Sequence, residues 1–194
     1  MKTIFQSIKI TLALCLFLSV GYVMVLTAFA SIYNDEKGAA ELVNYNGKPV
    51  GACQIGQRFT ELNYFWGRPS AVDYDASNSG GSNKSADNES YTVTVKNRLT
   101  HFLHAHPYLS AKEIPSELIT ASGSGLDPHL SPASVKLQIR RVASARGIDE
   151  TSLLKLVDRM IEYSLSGIPC VNVLKLNVEL DQLANKQANN GTKC

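Results

Sequence analysis

From Ile10 to Asn34 the chain is apolar, with no Asp, Glu, Lys, Arg or His. About 20 mostly apolar residues carry a helix across the hydrocarbon core of a bilayer. Backbone groups inside lipid must bond to one another, so this single run predicts one transmembrane helix over residues 10–33. Thr11, Ser19 and Thr27 are tolerated there, because a hydroxyl can bond back to the preceding turn. Gly21 and Ala28 leave small steps where a neighbouring helix can approach closely.

Beyond the span the pattern changes. Residues 34 to 47 are polar and end in Asn46-Gly47, a turn signal before a strand from Lys48 to Ile55. Phe59 to Trp66 is rich in aromatics, read first as core and second as a docking surface. Asp73 to Ser90 has almost nothing apolar to bury and predicts a long surface loop. Tyr91, Val95, Leu99, Phe102 and Leu103 recur at three- and four-residue steps, a helix stopped by Pro107. Ser131-Pro132 starts a helix whose buried face is Val135, Ile139, Val142 and Ala143, with Gly147 at its end. Asp149 caps another, striped by Leu153, Leu156, Val157, Met160 and Ile161. Val171 to Leu176 alternates like a strand, Leu180 and Leu183 suggest a last short helix, and the tail is polar. The fold class is therefore α+β: one N-terminal transmembrane helix, then one mixed α/β domain over residues 34–194.

Charge orients this arrangement. Lys2 and Lys9 precede the span, whereas all 17 acidic residues follow it, with 17 of the 19 basic ones. The rule that positive flanks stay inside puts residues 1–9 in the cytoplasm and the domain outside. Ala28-Phe29-Ala30 also fits a signal-peptidase site, so a cleaved leader competes with a retained anchor. The apolar run is longer than the usual ~7–15 residues of a leader. The exported part is formally neutral, which gives no electrostatic case for nucleic acid. Cys15 lies in the span; Cys53, Cys170 and Cys194 lie in the exported part, where oxidation is possible. Cys53 and Cys170 each sit in a strand-like segment, so the readings are free thiols or a Cys53–Cys170 disulfide.

No chemistry-bearing constellation passes its geometric test. Ser122, Ser124, Asp127 and His129 crowd together, but neither serine has the flanking glycines of a nucleophile elbow. His101, His104 and His106 have no carboxylate beside them and read as solvated histidines at a helix end. Ser79-Gly80-Gly81-Ser82-Asn83 lacks the strand–Lys–helix context of a phosphate loop. No catalytic, cofactor or metal residue is assigned.

One resemblance runs through the whole chain. Its residues are Ile55-Gly56-Gln57 with Phe59; Gly67-Arg68-Pro69-Ser70-Ala71; Ser79 to Asn83; Glu117-Leu118; Thr120 to His129; Ser131-Pro132; Gln138 to Arg146; and Val171 to Leu174 into Leu176-Asn177. In this order, behind one N-terminal span, the chain resembles KdpC, the accessory subunit of the bacterial Kdp potassium-transporting P-type ATPase. It departs from that pattern in the polar run Lys84 to Ser90 and at Lys175. The resemblance implies an uncleaved anchor and a non-catalytic subunit in the bacterial inner membrane. It implies partners as well, a channel-like pore subunit and the ATP-hydrolysing subunit, beside membrane lipid. The complex would use ATP, magnesium and potassium, with none of them bound by this chain. The alternative is a membrane-anchored or secreted periplasmic enzyme or binding module.

Overall fold

The computed structural model describes residues 2–33, 39–164 and 166–191, with side chains through 185. Asp35, Glu36 and Lys37, expected to flank the far end of the span, lie outside the described residues, as does Cys194. The chain divides into one unit through Glu41 and a second from Leu42.

The first unit is helical from Lys2 to Tyr33: α1 (Lys2–Leu16), a π-helical turn (Phe17–Tyr22) and α2 (Val23–Tyr33). It is long and apolar enough to cross a membrane, and its large apolar side chains from Ile4 to Tyr33 are exposed. Ser19 Oγ donates to the Cys15 carbonyl at 2.5 Å and Thr27 Oγ1 to that of Val23 at 2.9 Å, as the sequence predicts. The π turn contains Gly21, and nothing in the hydrophobic pattern distinguishes it from ordinary α-helix.

The second unit begins with the hairpin β1 (Leu42–Tyr45) and β2 (Lys48–Ala52). Asn46 and Gly47 turn it with φ of 51° and 76°, the left-handed values that a tight hairpin needs. Next comes α3 (Glu89–Ala105), capped by Asn88, whose side chain accepts from the Tyr91 amide. A two-residue strand β3 (His129–Leu130) leads to α4 (Pro132–Lys136), capped by Ser131. The single helix expected after Ser131 is divided. The Gln138 N–H bonds to the Val135 carbonyl, three residues back rather than the four of an α-helix, and α5 (Ile139–Arg146) follows. Gly147 ends it at φ 65°. Asp149 caps α6 (Glu150–Arg159) as expected.

Two expectations are corrected by the strands. Ile161 continues the α6 stripe in the sequence but opens a strand, β4 (Ile161–Tyr163). The predicted strand from Val171 to Leu176 stops at Asn172; β5 is Pro169–Asn172, and α7 (Val173–Gly191) begins at once. Asn172 causes the switch, since its Oδ1 accepts from the Lys175 amide at 3.0 Å and so caps the new helix. Val173, Leu176 and Leu180 then recur at helical spacing and are buried. The sheet order is β3-β5-β4, all antiparallel.

One apolar core joins these elements: Phe65, Leu130, Val135, Val142, Leu153, Val157, Val171 and Leu180 are among its members. Fully burying such side chains stabilises by about 1.5–3 kcal/mol each relative to exposure. The core wraps the segment Phe65-Trp66, which has no regular structure of its own.

Candidate functional site

A buried segment without strand or helix partners must find other groups for its backbone. Phe65 and Trp66 find two side-chain amides. Asn177 on α7 accepts from the Phe65 N–H at 2.9 Å and donates to the Phe65 carbonyl at 3.0 Å. Gln138, before α5, does the same for Trp66 at 2.8 and 3.0 Å. Neither amide is singled out by the sequence reading; each interrupts an apolar stripe, and that interruption is the signal that could have found them.

Arg141 is the third element, and it too is buried. Its Nη2 donates to Gln138 Oε1 at 2.8 Å, its Nη1 to the Leu62 carbonyl, and its Nε to His106 Nε2 at 2.9 Å. The guanidinium lies 4.4 Å from the Trp66 ring centroid. His106 Nδ1 sits 2.7 Å from the Phe102 carbonyl oxygen, which can only accept. His106 is therefore the neutral Nδ1–H tautomer. Burial, with Arg141 adding to it, lowers its pKa from 6.5 to about 4 against the pull of the Phe102 carbonyl. This corrects the reading of three solvated histidines: His101 and His104 are exposed, but His106 is not.

The glycine-rich stretches form a second assembly. Ser79 Oγ and the Gly80 N–H both donate to the Ser124 carbonyl, at 3.1 and 2.8 Å. A Cβ on Gly81 would lie 3.0 Å from the Gly123 carbonyl, and one on Gly56 would lie 2.7 Å from that of Asp127. The Ser-Gly-Gly fragment is thus a backbone-to-backbone docking element, and part of the expected surface loop is held in place by it. Arg68 Nη1 bonds to Asp127 Oδ2 at 3.1 Å, and the His129 amide to Asp127 Oδ1 at 3.0 Å. Burial opposes ionisation of Asp127, but the His129 and Arg68 contacts hold its carboxyl below the usual range. Asp127 serves as a tie between segments, and Ser122 is buried rather than presented at a surface.

Gly125 is the tightest glycine of this assembly. At φ +69° a Cβ would stand 2.6 Å from Val72 Cγ2 and 2.7 Å from the Gly80 carbonyl. Gly125→Ala should cost about 2 kcal/mol or more, because both backbone strain and overlap oppose it. Gly123→Ala, with nothing within 4 Å, should stay near neutral. Thermal melts of the two variants check this pair.

Two open cavities of about 500 and 710 Å³ share Thr60, Trp66 and His101 in their lining. Arg58 and Arg98 line the first; His104, Arg140 and Arg141 line the second. Among the described residues no Asp or Glu lines either one. Among them, too, no group of three or more His, Cys, Asp or Glu is placed to hold a metal ion. Cys53 is buried, Cys170 half-buried, and both are free thiols in this structure. Burial, with Glu162 and Asp127 nearby, pushes the Cys170 thiol pKa up.

A family model described as KdpC, the c chain of the K+-transporting ATPase, matches residues 4–182. The chain belongs to the KdpC family. The KdpC match takes in both the apolar helix and the domain. The potassium-transporting ATPase KdpC subunit of Bacteroides fragilis strain YCH46 is 50% identical over 191 residues, spanning 96% of this chain and all of the relative. That of Bacteroides thetaiotaomicron is 48% identical, over 94% of this chain and 99% of its own. That of Flavobacterium johnsoniae is 44% identical, over 94% and 100%. Of the motifs that carry the KdpC resemblance in the sequence, Gly67 to Ala71 and Ser79 to Asn83 are both tied to Thr120 to His129, while Gln138 to Arg146 holds the segment from Leu62 to Trp66.

Proposed function

We propose that this chain is the non-catalytic accessory subunit of an ATP-driven, high-affinity potassium uptake pump. The carrying observation is the family match over residues 4–182, which joins span and domain in one unit of descent. In this reading the helix anchors the subunit in a bacterial inner membrane, with Lys2 cytoplasmic and the domain extracytoplasmic. The charge asymmetry about the span supports that orientation. The partners are a channel-like pore subunit and the P-type ATPase subunit, which handle potassium, magnesium and ATP. The domain holds that assembly together and couples it; no nucleic acid is involved.

Gly21→Arg tests the reading. It puts a charge deep in the span, at a cost of about 2.5–3.5 kcal/mol on insertion scales, and adds bulk where the helix surface is small. Recovery of the assembled pump and its potassium-stimulated ATPase should fall, while the purified chain alone turns over neither ATP nor esters. A pump fully active without this chain, or turnover by the chain alone, would favour an anchored periplasmic enzyme.

A Cys53–Cys170 bridge is part of the proposal for the oxidised protein. Val171 faces the core, so Cys170 and Asn172 share the opposite face of β5. Asn172 Nδ2 donates to the Cys53 carbonyl at 2.6 Å, placing that cysteine beside this face. Peptide mapping without reduction should return a linked 53–170 pair; two separately alkylated peptides would end this part of the proposal.

A further inference from the structure

We infer that the paired cavities around Trp66 form a docking groove for an acidic segment of another subunit of the potassium-transporting ATPase. The inference rests on the accessory-subunit reading and adds the surface and the chemistry of the contact.

The first observation is a charge imbalance. The part of the chain beyond the span carries 17 acidic and 17 basic residues. Yet, among the described residues, four arginines and two histidines line the groove and no carboxylate does. Arg58 is paired with Asp73 at the edge and lies over the Tyr74 ring. Arg141 is engaged in the buried network. Arg98 and Arg140 are different: Arg98 reaches the Ile119 carbonyl, at 3.4 Å, and Arg140 lies over the Tyr108 ring at 5.0 Å. Two cations thus stand one in each cavity, with neutral partners among the described residues.

The second observation is the kind of surface around them. Trp, Tyr and Arg are the residues that dominate binding energy at protein interfaces. Here Trp66, 8% exposed, lines both cavities, with Tyr74 lining the first and Tyr108 the second. His101 is stacked on Trp66 with ring centroids 5.3 Å apart, and Leu62 is 53% exposed at the second cavity. The tryptophan is fixed from behind by Gln138 and Arg141, so little order is lost when a partner settles on it.

The third observation selects the partner. The arginines are spread over two cavities of about 500 and 710 Å³, a span that suits a chain segment bearing several carboxylates better than one small anion. No carboxylate among the described residues of this chain lines the groove beside those arginines, so the complementary occupant is a segment that brings the acidic groups itself. Complementary charge would orient the domain on it and weaken as salt rises.

The test uses the full-length chain in the complex extracted with detergent. A photo-reactive amino acid at Thr60, between the cavities, should crosslink to a peptide of another pump subunit carrying at least two carboxylates. Arg98→Glu with Arg140→Glu should lower recovery of the other subunits about tenfold or more. Arg98→Lys with Arg140→Lys should retain most of it, as should the control Lys112→Glu with Lys155→Glu. Circular dichroism of each purified variant establishes that it folds; the crosslink, made without charge reversal, decides the matter if the Glu pair does not. Wild-type recovery with the Glu pair, or crosslinks at Thr60 to lipid alone or to nothing, overturns the groove. Binding of inorganic phosphate or anionic vesicles there without a subunit crosslink overturns it too. If the unmodified chain recovers no other subunit, the accessory-subunit reading fails first, and the groove falls with it.

Discussion

Gln138→Leu should lower the thermal midpoint of the protein by about 10 °C. Leucine matches glutamine closely in size, so the substitution changes hydrogen bonding far more than volume. In the native protein one amide satisfies the Trp66 N–H and carbonyl and also accepts from Arg141. All of these lie where water does not reach, since Gln138 has no exposed surface and Arg141 is 6% exposed. A buried polar group left without a partner costs about 1–3 kcal/mol, and three are created here. Allowing for relaxation, the total is about 3–5 kcal/mol. For a protein of this size each kcal/mol moves the midpoint by about 2–4 °C. Asn177→Leu should behave alike through Phe65, and the two losses should not add, because both amides hold one segment. Circular dichroism melts decide it, and a shift below about 2 °C for Gln138→Leu would remove the clamp from the account of stability.

Acid should loosen the same region through His106. The folded pKa is about 4 and the ordinary value is 6.5, so the unfolded chain takes up the proton first. The contribution is complete above about pH 6.5 and is lost progressively as the pH falls toward 4. The loss is on the order of 3 kcal/mol for a shift of this size. Protonation also has a local consequence. Nε2 would become a donor facing the Arg141 Nε–H, and two cations would meet in a buried site whose other titratable neighbour, Tyr108, is neutral. His106→Gln can still accept from Arg141 but does not titrate. Unfolding measured at pH 7.5, 6 and 5 should therefore show a steeper loss for the wild type than for His106→Gln. Equal slopes would mean that other groups, the carboxylates above all, carry the acid sensitivity.

Local order was legible where one residue's chemistry fixes it. Asn46-Gly47 forms its hairpin turn because few residue pairs take two left-handed conformations in succession. Ser131 and Asp149 cap their helices because a short polar side chain reaches the third amide ahead. The stretch from Val171 was harder. Val171, Val173 and Leu176 fit a strand nearly as well as a helix over so few residues, and the cap at Asn172 settles the matter. Ile161 posed the mirror problem, since it continues the apolar stripe of α6 yet pairs with Val171 across the sheet.

The apolar span, the charge asymmetry around it, most helix starts and stops, and the family motifs in their order can all be read from the amino-acid order alone. These follow from interactions within a few residues or from composition summed along the chain. That Gln138 and Asn177 clamp Trp66 and Phe65, and that Arg141 meets His106, emerges only in the folded chain, because these partners lie 35 to 112 residues apart. The tertiary structure also decided that the two glycine-rich stretches exist to touch each other. Close backbone approach needs a residue without a side chain, and a lone glycine in a sequence does not say which backbone it will meet.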